Sequence, residues 1–329
     1  MASQAHVAPL ILLAIAALFG GCTPRPPEAS PAAGAREGLR LATWNLEWFL
    51  RPEDFHKLKA SCTSREQPPP RSRPSIPCDV AYGMERSSSD IKTLADYAKR
   101  LGADVIALQE VDGPAAAALL FAPEDYDFCF TGRRHVQNNG FAVRRSVAHR
   151  CGPDLRELSL GDSVRRGKEL VLFPGEPDET RLLAVHLKSG CARNAPDDHR
   201  DACRALRRQM AILERWIDTQ AAAGRRFAVL GDFNRDFVHE PRRNGFWTEL
   251  DDSAPPEADL SLLADHVEFR NCAPQQAFSG YIDHIILSRS LAMREIEGSF
   301  RRPTYTITDF SRRRLSDHCP VAISLSLGH

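Results

Sequence analysis

Apolar runs that stop abruptly on polar residues constrain this chain more than any other feature. The plainest is Phe227-Ala-Val-Leu-Gly-Asp-Phe-Asn234, in which four apolar residues lead through Gly231 to Asp232 and Asn234. Such a run reads as a buried strand, and a strand's period of two turns Asp232 and Asn234 to the same side as the chain leaves the sheet. An acid and an amide presented together can hold a hydrated cation or a water beside a phosphate; the same two groups can equally cap a loop. The design recurs. Leu39-Arg-Leu-Ala-Thr-Trp-Asn45-Leu-Glu47 ends in an amide and an acid on one face, Ala103-Asp-Val-Ile-Ala-Leu-Gln109-Glu110 ends in an acid, and Arg181-Leu-Leu-Ala-Val-His186-Leu-Lys188 delivers a histidine. Tyr281-Ile-Asp283-His284 and Leu315-Ser316-Asp317-His318 add two Asp-His pairs.

A length of 329 residues suggests two domains, but the polar strand ends run from Asn45 to His318, so no cut leaves a complete set in one half. Residues 39–329 therefore read as a single domain. With 43 basic and 43 acidic residues the formal net charge is zero, which excludes bulk attraction to nucleic acid or membrane and leaves that task to local patches. Residues 1–22 read as a targeting segment: Val7 to Phe19 is apolar, too short to span a bilayer, and runs into Gly20-Gly21-Cys22. A cysteine after two small residues resembles a bacterial lipoprotein processing site, with Cys22 lipidated. The segment before Val7 lacks Lys and Arg, and Phe19 stands where that signal usually has Leu, so an ordinary secretory signal is the alternative. Residues 23–38, rich in Pro and Ala without apolar periodicity, suit an extended tether.

Nine cysteines less Cys22 leave an even set of eight, which in an exported chain favours disulfides. Spacing suggests sequential pairs: Cys62-Cys78 closing a Pro/Arg-rich excursion, Cys129-Cys151 joining a strand pair, Cys191-Cys203 closing a polar loop, and Cys272-Cys319 by elimination. A zinc site is the poorer reading, because no C-x-x-C or C-x-x-x-C spacing occurs. Between the strands, Asp90 can cap a helix with Ile91, Leu94, Ala95, Ala98 and Leu101 on one face and Gly102 at its end; Leu206, Met210, Leu213 and Ile217 repeat the stripe before Gly224. Strands alternating with helices predict an α/β protein.

Taken in order, the motifs at Asn45/Glu47, Glu110, His186, Asp232/Asn234, Asp283 and Asp317/His318 closely resemble those of the endonuclease/exonuclease/phosphatase superfamily, which includes pancreatic deoxyribonuclease and abasic-site endonucleases. The resemblance covers residues 39 to 327. It implies a four-layer α/β sandwich, two packed mixed β-sheets flanked by helices, and a metal-dependent hydrolase of phosphate esters. Phosphate-ester hydrolysis needs charge neutralised on the phosphoryl oxygens, an activated water and a stabilised leaving oxygen. Glu110 and Glu47 are the expected metal ligands, with Asn45 supporting and Asp317 carried over by motif; magnesium is the expected ion, manganese or calcium the alternatives. His318 resembles the family's histidine beside the scissile phosphate, oriented by Asp283, and is the preferred base with Asp232 its rival. His186 looks like the second histidine of the deoxyribonuclease branch, with Lys188 sharing its face. His284 should be structural, since adjacent strand residues face opposite ways. Asn139 before Gly140 resembles a phosphate-contacting amide, with a turn asparagine as the alternative.

Substrate is read from the rim. Residues 50–80, with Arg65, Arg71 and Arg73, residues 190–203, and Arg312-Arg313-Arg314 all leave from the predicted site. The first excursion and the arginine triplet suit phosphates, whereas the second, which mixes both charge signs, also suits a merely solvated loop. The expected substrate is nucleic acid, DNA first, cut by an exported monomer that meets a membrane only through its lipid anchor, at the bacterial envelope or secreted from it. A sphingomyelinase-like lipid phosphodiesterase would share the catalytic set but should carry exposed apolar rim residues. A non-catalytic surface protein on the same scaffold should have lost a catalytic position, and none is lost.

Overall fold

In the computed structural model, which describes residues 38–68, 74–240 and 245–327, the apolar runs pair into two sheets. In chain order the strands are β1 (Gly38–Phe49), β2 (Val105–Val111), β3 (Tyr126–Phe130), β4 (Asn138–Arg144), β5 (His149–Leu155), β6 (Gly167–Leu172), β7 (Thr180–His186), β8 (Arg226–Asp232), β9 (Leu260–Leu262), β10 (Asp283–Ser288) and β11 (Val321–Ser326). The first sheet runs β11-β1-β2-β4-β3 and the second β5-β6-β7-β8-β10-β9. Each is mixed, with one parallel pair: β1 with β2, and β7 with β8. A parallel pair needs a crossover, and a helix supplies it in both cases, Ser88–Leu101 in the first and Asp201–Ala222 in the second.

The helices cover the outer faces because their stripes match the strands' outward residues. Leu94, Tyr97, Ala98 and Leu101 pack on Ala42, Trp44, Ile106 and Leu108 of the first sheet. Leu206, Met210, Leu213 and Ile217 pack on Leu183, Val185, Phe227 and Val229 of the second. The alternate residues, among them Leu41, Val105, Phe141, Leu182, Leu230 and Ile285, meet between the sheets. The result is the four-layer α/β sandwich that the motifs implied. Ser87, not Asp90, caps the first helix: its hydroxyl accepts from the Asp90 N–H while the Asp90 carboxylate accepts from the Ser87 N–H, and Gly102 ends the helix at φ 57°.

The cysteines pair Cys62–Cys78, Cys129–Cys151, Cys191–Cys203 and Cys272–Cys319. One of these does something the spacing did not suggest. Cys129 lies on β3 of the first sheet and Cys151 on β5 of the second, so the bond staples the two sheets together instead of joining neighbouring strands. With a sequence separation of 22 between its cysteines, such a crosslink is worth about 3 kcal/mol in the chain-entropy model. Asn139 also differs from expectation: β4 begins at Asn138, so Asn139 is a strand residue and not part of a turn. The segment Glu37–His329 forms one compact unit, and no helix among the described residues is long and apolar enough to cross a membrane. The targeting segment 1–22 with Cys22, the tether up to residue 37, and Arg71 and Arg73 lie outside the described residues.

Candidate active site

Strand parity builds the site. The face that buries Leu41 on β1 carries Thr43 and Asn45 further along; the faces that bury Ala107, Ala184 and Leu230 continue to Gln109, His186 and Asp232; and β10 begins that face with Asp283. The inter-sheet core is thus apolar for most of its length and polar at one end. Register aligns the set: His186 pairs with Asp232 across the parallel ladder, and Asp232 with Asp283 across the antiparallel one. Asn45 is 1% exposed, His186 4%, Asp232 2% and Asp283 4%, so charges that would be costly to bury are held here in mutual contact.

Glu110 reaches the site by breaking that parity, whereas Glu47 shares the parity of Asn45. On a regular β2 Gln109 would face the site and Glu110 the outer helix, but the β1–β2 and β2–β4 ladders both slip at this end, and Glu110 takes φ 60°. Glu47 and Trp48 take φ 47° and 50°, and Asn234 φ 51°. Left-handed backbone at a residue other than glycine costs of order 1–3 kcal/mol and clusters at functional sites. Here it swings the Glu110 carboxylate inward, and hydrogen bonds hold both acids. Glu110 Oε2 accepts from the Trp48 N–H at 3.1 Å and from Gln137 Nε2 at 2.5 Å, and Oε1 from Asn45 Nδ2 at 3.4 Å. Glu47 Oε2 accepts from the Asp317 N–H at 3.1 Å. Beneath them the buried Arg86 guanidinium donates to the carbonyls of Leu46, Glu47, Trp48, Arg314 and Leu315, stapling the end of β1 to the loop before β11.

Burial, with Asp317 and then Glu110 adding like charge against the opposing pull of Arg86, pushes the Glu47 carboxyl up to about 7. Glu47 lies near enough to Asp317 and Glu110 for both charges to raise its pKa, and the three side chains offer only oxygen donors. Glu47, Glu110 and Asp317 therefore fit a hard divalent cation. Asn45 does not add a free oxygen: its Oδ1 accepts from the Glu47 N–H at 2.9 Å and its Nδ2 donates to Asp232 Oδ2 at 3.0 Å, so it orients carboxylates.

The histidines divide by environment. His318 Nδ1 meets Asp283 Oδ2 at 2.7 Å, while Nε2 points between Asp317 Oδ1 at 3.7 Å and Asp232 Oδ2 at 3.9 Å. Burial alone would lower its pKa, but Asp283, Asp232 and Asp317 together raise it well above the ordinary imidazole value. Burial, with the Asp283 charge adding to it, pushes the Asp232 carboxyl up to about 7 against the opposing pull of His318 and of the hydrogen bonds from the Asn234 N–H and Asn45. Ligand-type atoms of Asp232, Asp283 and His318 lie within 4.8 Å of one another. Within this trio His318 Nδ1 is already taken by Asp283 at 2.7 Å, an arrangement that suits an acid–base group. His186 Nε2 lies 3.4 Å from Asp232 Oδ2, and burial, then Arg165, then His318 hold its pKa well below the usual value.

Other predicted residues fall differently. Asn234 Nδ2 donates to the Leu187 carbonyl at 3.2 Å, and Lys188 lies two residues beyond β7 with Nζ bonded to the Ser189 carbonyl at 2.9 Å. Asn139 is 1% exposed and its Nδ2 donates to the Arg166 carbonyl at 2.8 Å. His284 faces the outer core, packed by Phe233 and Phe237, with Nε2 on the Arg235 carbonyl at 2.8 Å. Arg312, Arg313 and Arg314 line a hollow of about 590 Å³ shared with Glu47 and Asp317. A second hollow of about 430 Å³ opens on the other side of Asp317, against His318. Sequence reasoning missed Arg86, Gln137 and Arg165, whose guanidinium donates to the His186 carbonyl at 3.3 Å and the Leu187 carbonyl. None sits at a strand end; the one available cue is an arginine two residues before an element, as Arg86 and Arg165 are.

The family model described as Endonuclease/Exonuclease/phosphatase family matches residues 42–318. Among solved structures, truncated TDP2 of Caenorhabditis elegans superposes with a TM-score of 0.54 at 13% identity, covering 88% of this chain and 98% of that one. TDP2 of D. rerio, in complex with single strand DNA product, gives 0.52 at 15% identity over 88% and 99%. The 3'-5' exonuclease (NExo) from Neisseria meningitidis gives 0.52 at 17% identity over 88% and 100%. No curated protein sequence matches the chain. At these identities the likeness speaks to the fold.

Proposed function

Because the chain belongs to the endonuclease/exonuclease/phosphatase family, whose members generally hydrolyse phosphoester bonds with a divalent metal, we propose that it is a nuclease that cuts DNA phosphodiesters using magnesium. One observation carries the reading: the Asp283-clamped His318, with Asp232 beside it and Glu47, Glu110 and Asp317 opposite, lies between two hollows that both carry arginine. The D. rerio TDP2 complex with single strand DNA product and the Neisseria exonuclease are nucleic-acid enzymes of the same fold, which supports DNA as the substrate.

A divalent cation held by Glu47, Glu110 and Asp317 supplies charge neutralisation on the phosphoryl oxygens. The chain's own residues handle the protons and the remaining charge. Asp232, with a pKa of about 7 and aligned by Asn45 and the Asn234 N–H, takes the proton of the attacking water as its oxygen bonds to phosphorus and the ester P–O bond breaks, the leaving oxygen taking its proton from solvent water. His318, kept cationic by Asp283, donates from Nε2 to a non-bridging oxygen as charge develops there. His186, held neutral against Asp232, orients that base and excludes a competing positive charge. This assigns the base to Asp232 in preference to His318, since an imidazole surrounded by carboxylates keeps its proton.

Cleavage of plasmid DNA should require a divalent ion and stop in EDTA. If the triplet of Arg312, Arg313 and Arg314 grips flanking phosphates, replacing all three with alanine should flatten the salt dependence of duplex binding by about 0.9 per lost contact. Hydrolysis of a small model phosphodiester should not respond. Equal loss on plasmid and model ester would reject the phosphate-gripping role, and no cleavage of either plasmid or single-stranded DNA with magnesium, manganese or calcium would reject the nuclease.

We place this enzyme outside the cytoplasm as a lipid-anchored or secreted bacterial protein. The apolar run before Cys22 and the four disulfides support that placement. Metabolic labelling with a fatty-acid analogue should be lost in Cys22→Ser; label retained by that variant refutes the anchor.

A further inference from the structure

The hollow beside His318 has a character the phosphate chemistry does not need. Phe269 and Tyr281 meet edge to face at 5.0 Å, and the Arg302 guanidinium lies 5.4 Å from one ring and 5.1 Å from the other. Phe278 stands at the mouth, 54% exposed; of the large apolar side chains exposed among the described residues, it is the one that lines a hollow shared with His318. Arg193 forms part of the same lining, reached from the disulfide-closed polar loop. Its Nε and Nη2 bond Asp236 Oδ2, and Nη2 also donates to the Ser279 carbonyl at 2.7 Å.

This rim is fixed to the catalytic histidine. The Phe278 N–H donates to Asn271 Oδ1 at 3.0 Å, and Asn271 Nδ2 returns a bond to the Phe278 carbonyl. Gln276 Nε2 donates to the Asp317 carbonyl at 2.8 Å, and Cys272 is joined to Cys319, the residue after His318. Gly280 packs so closely on Asp236 that a Cβ there would lie 2.0 Å from Oδ2, so the Arg193 anchor depends on it. The backbone that carries the exposed ring is therefore tied to the reacting centre, as a recognition element's must be.

Resting on the nuclease reading, we propose that this hollow is a nucleobase pocket: it takes the unpaired base of the nucleotide next to the scissile phosphate and so makes the enzyme favour single-stranded over duplex DNA. An exposed aromatic ring beside a phosphate site binds either a flat ring by stacking or a quaternary ammonium by cation–π attraction. Arg193 is neutralised by its pair with Asp236, but the Arg302 guanidinium already takes the cation position against the Phe269 and Tyr281 rings, which opposes the ammonium of a phosphocholine headgroup and leaves the exposed Phe278 to a flat ring. The volume, about 430 Å³, is that of a small-ligand pocket and is ample for one base. A base still paired in a duplex cannot enter, and unstacking it costs free energy that a single strand has already given up.

The test compares one fluorescein-labelled oligonucleotide, alone and annealed to its complement, with wild type, Phe278→Ala and Phe278→Tyr. Wild type should cut the single strand with the higher kcat/KM. Phe278→Ala should lose about tenfold on the single strand, mainly through KM, with a smaller loss on the duplex; Phe278→Tyr, which keeps a stacking face, should retain the preference. Equal cleavage of both forms by wild type, or equal losses on both in Phe278→Ala, overturns the pocket while leaving the nuclease standing. Cleavage of neither form by wild type, with release of phosphocholine from sphingomyelin vesicles instead, overturns the nuclease reading and the pocket with it.

Discussion

His318→Ala should lower turnover on DNA by about 10²–10³-fold, the scale of removing one preorganised donor from a developing oxyanion. His284→Ala should leave turnover per folded molecule within a few-fold. The two histidines each follow an aspartate, yet one sits 2.7 Å from Asp283 with its other nitrogen aimed between Asp317 and Asp232, and the other is packed under Phe233 and Phe237. Loss of the His284 ring should appear as stability, because it leaves the buried Arg235 carbonyl without its donor, a cost of about 1–3 kcal/mol. The pH profile separates the roles further. His318 has a raised pKa, so its proton persists above the ordinary imidazole range and its loss should set the alkaline limb of the rate, while protonation of Asp232 sets the acid limb. Asp283→Asn removes the largest of the neighbouring charges that raise it and should move the alkaline limb to lower pH. Rates measured across pH for the three variants decide the matter: equal losses at His284 and His318, or an alkaline limb unmoved in Asp283→Asn, would sink the assignment.

What sequence made legible follows from how each side chain reaches the site. Asn45, His186, Asp232 and Asp283 extend the same alternating faces that bury Leu41, Ala184, Leu230 and Ile285, so period-two reading places them correctly with no tertiary knowledge. Glu110 is different. The same reading sends Gln109 inward and Glu110 outward, and it is the left-handed turn at φ 60°, with slipped ladders on both sides, that reverses them. Its importance was visible only through the motif, because strain of this kind leaves no local pattern in a residue that is not glycine. Arg86 and Arg165 were invisible for another reason: each acts by donating to backbone carbonyls, which every residue has, so no partner type marks them in the sequence. The Cys129–Cys151 bond shows a third limit. Spacing tells which cysteines are near in chain, but whether β3 and β5 share a sheet is a matter of topology, and they do not.

Glu110→Gln should abolish the stabilisation that a divalent ion gives the wild-type protein, as well as most of its activity. The carboxylate is held from three sides, by the Trp48 N–H, Gln137 Nε2 and Asn45 Nδ2, and so cannot turn away to find another partner. Glutamine keeps the shape but carries no charge. An ion that binds the folded state alone stabilises it by about 2.7 kcal/mol at 100 times its Kd, enough to move a melting midpoint by several degrees. Thermal melts with EDTA, magnesium and manganese read this without any substrate. In EDTA the variant should melt at or above the wild type, because the acids at Glu47, Glu110 and Asp317 repel one another until a cation arrives, and that repulsion is part of what raises the Glu47 pKa. With metal, wild type should gain stability and Glu110→Gln should not, while turnover falls by two orders of magnitude or more as several kcal/mol of charge stabilisation is lost. A variant that loses activity yet keeps the full metal-dependent shift would remove Glu110 from the ligand set and leave the ion to the Asp232, Asp283 and His318 trio.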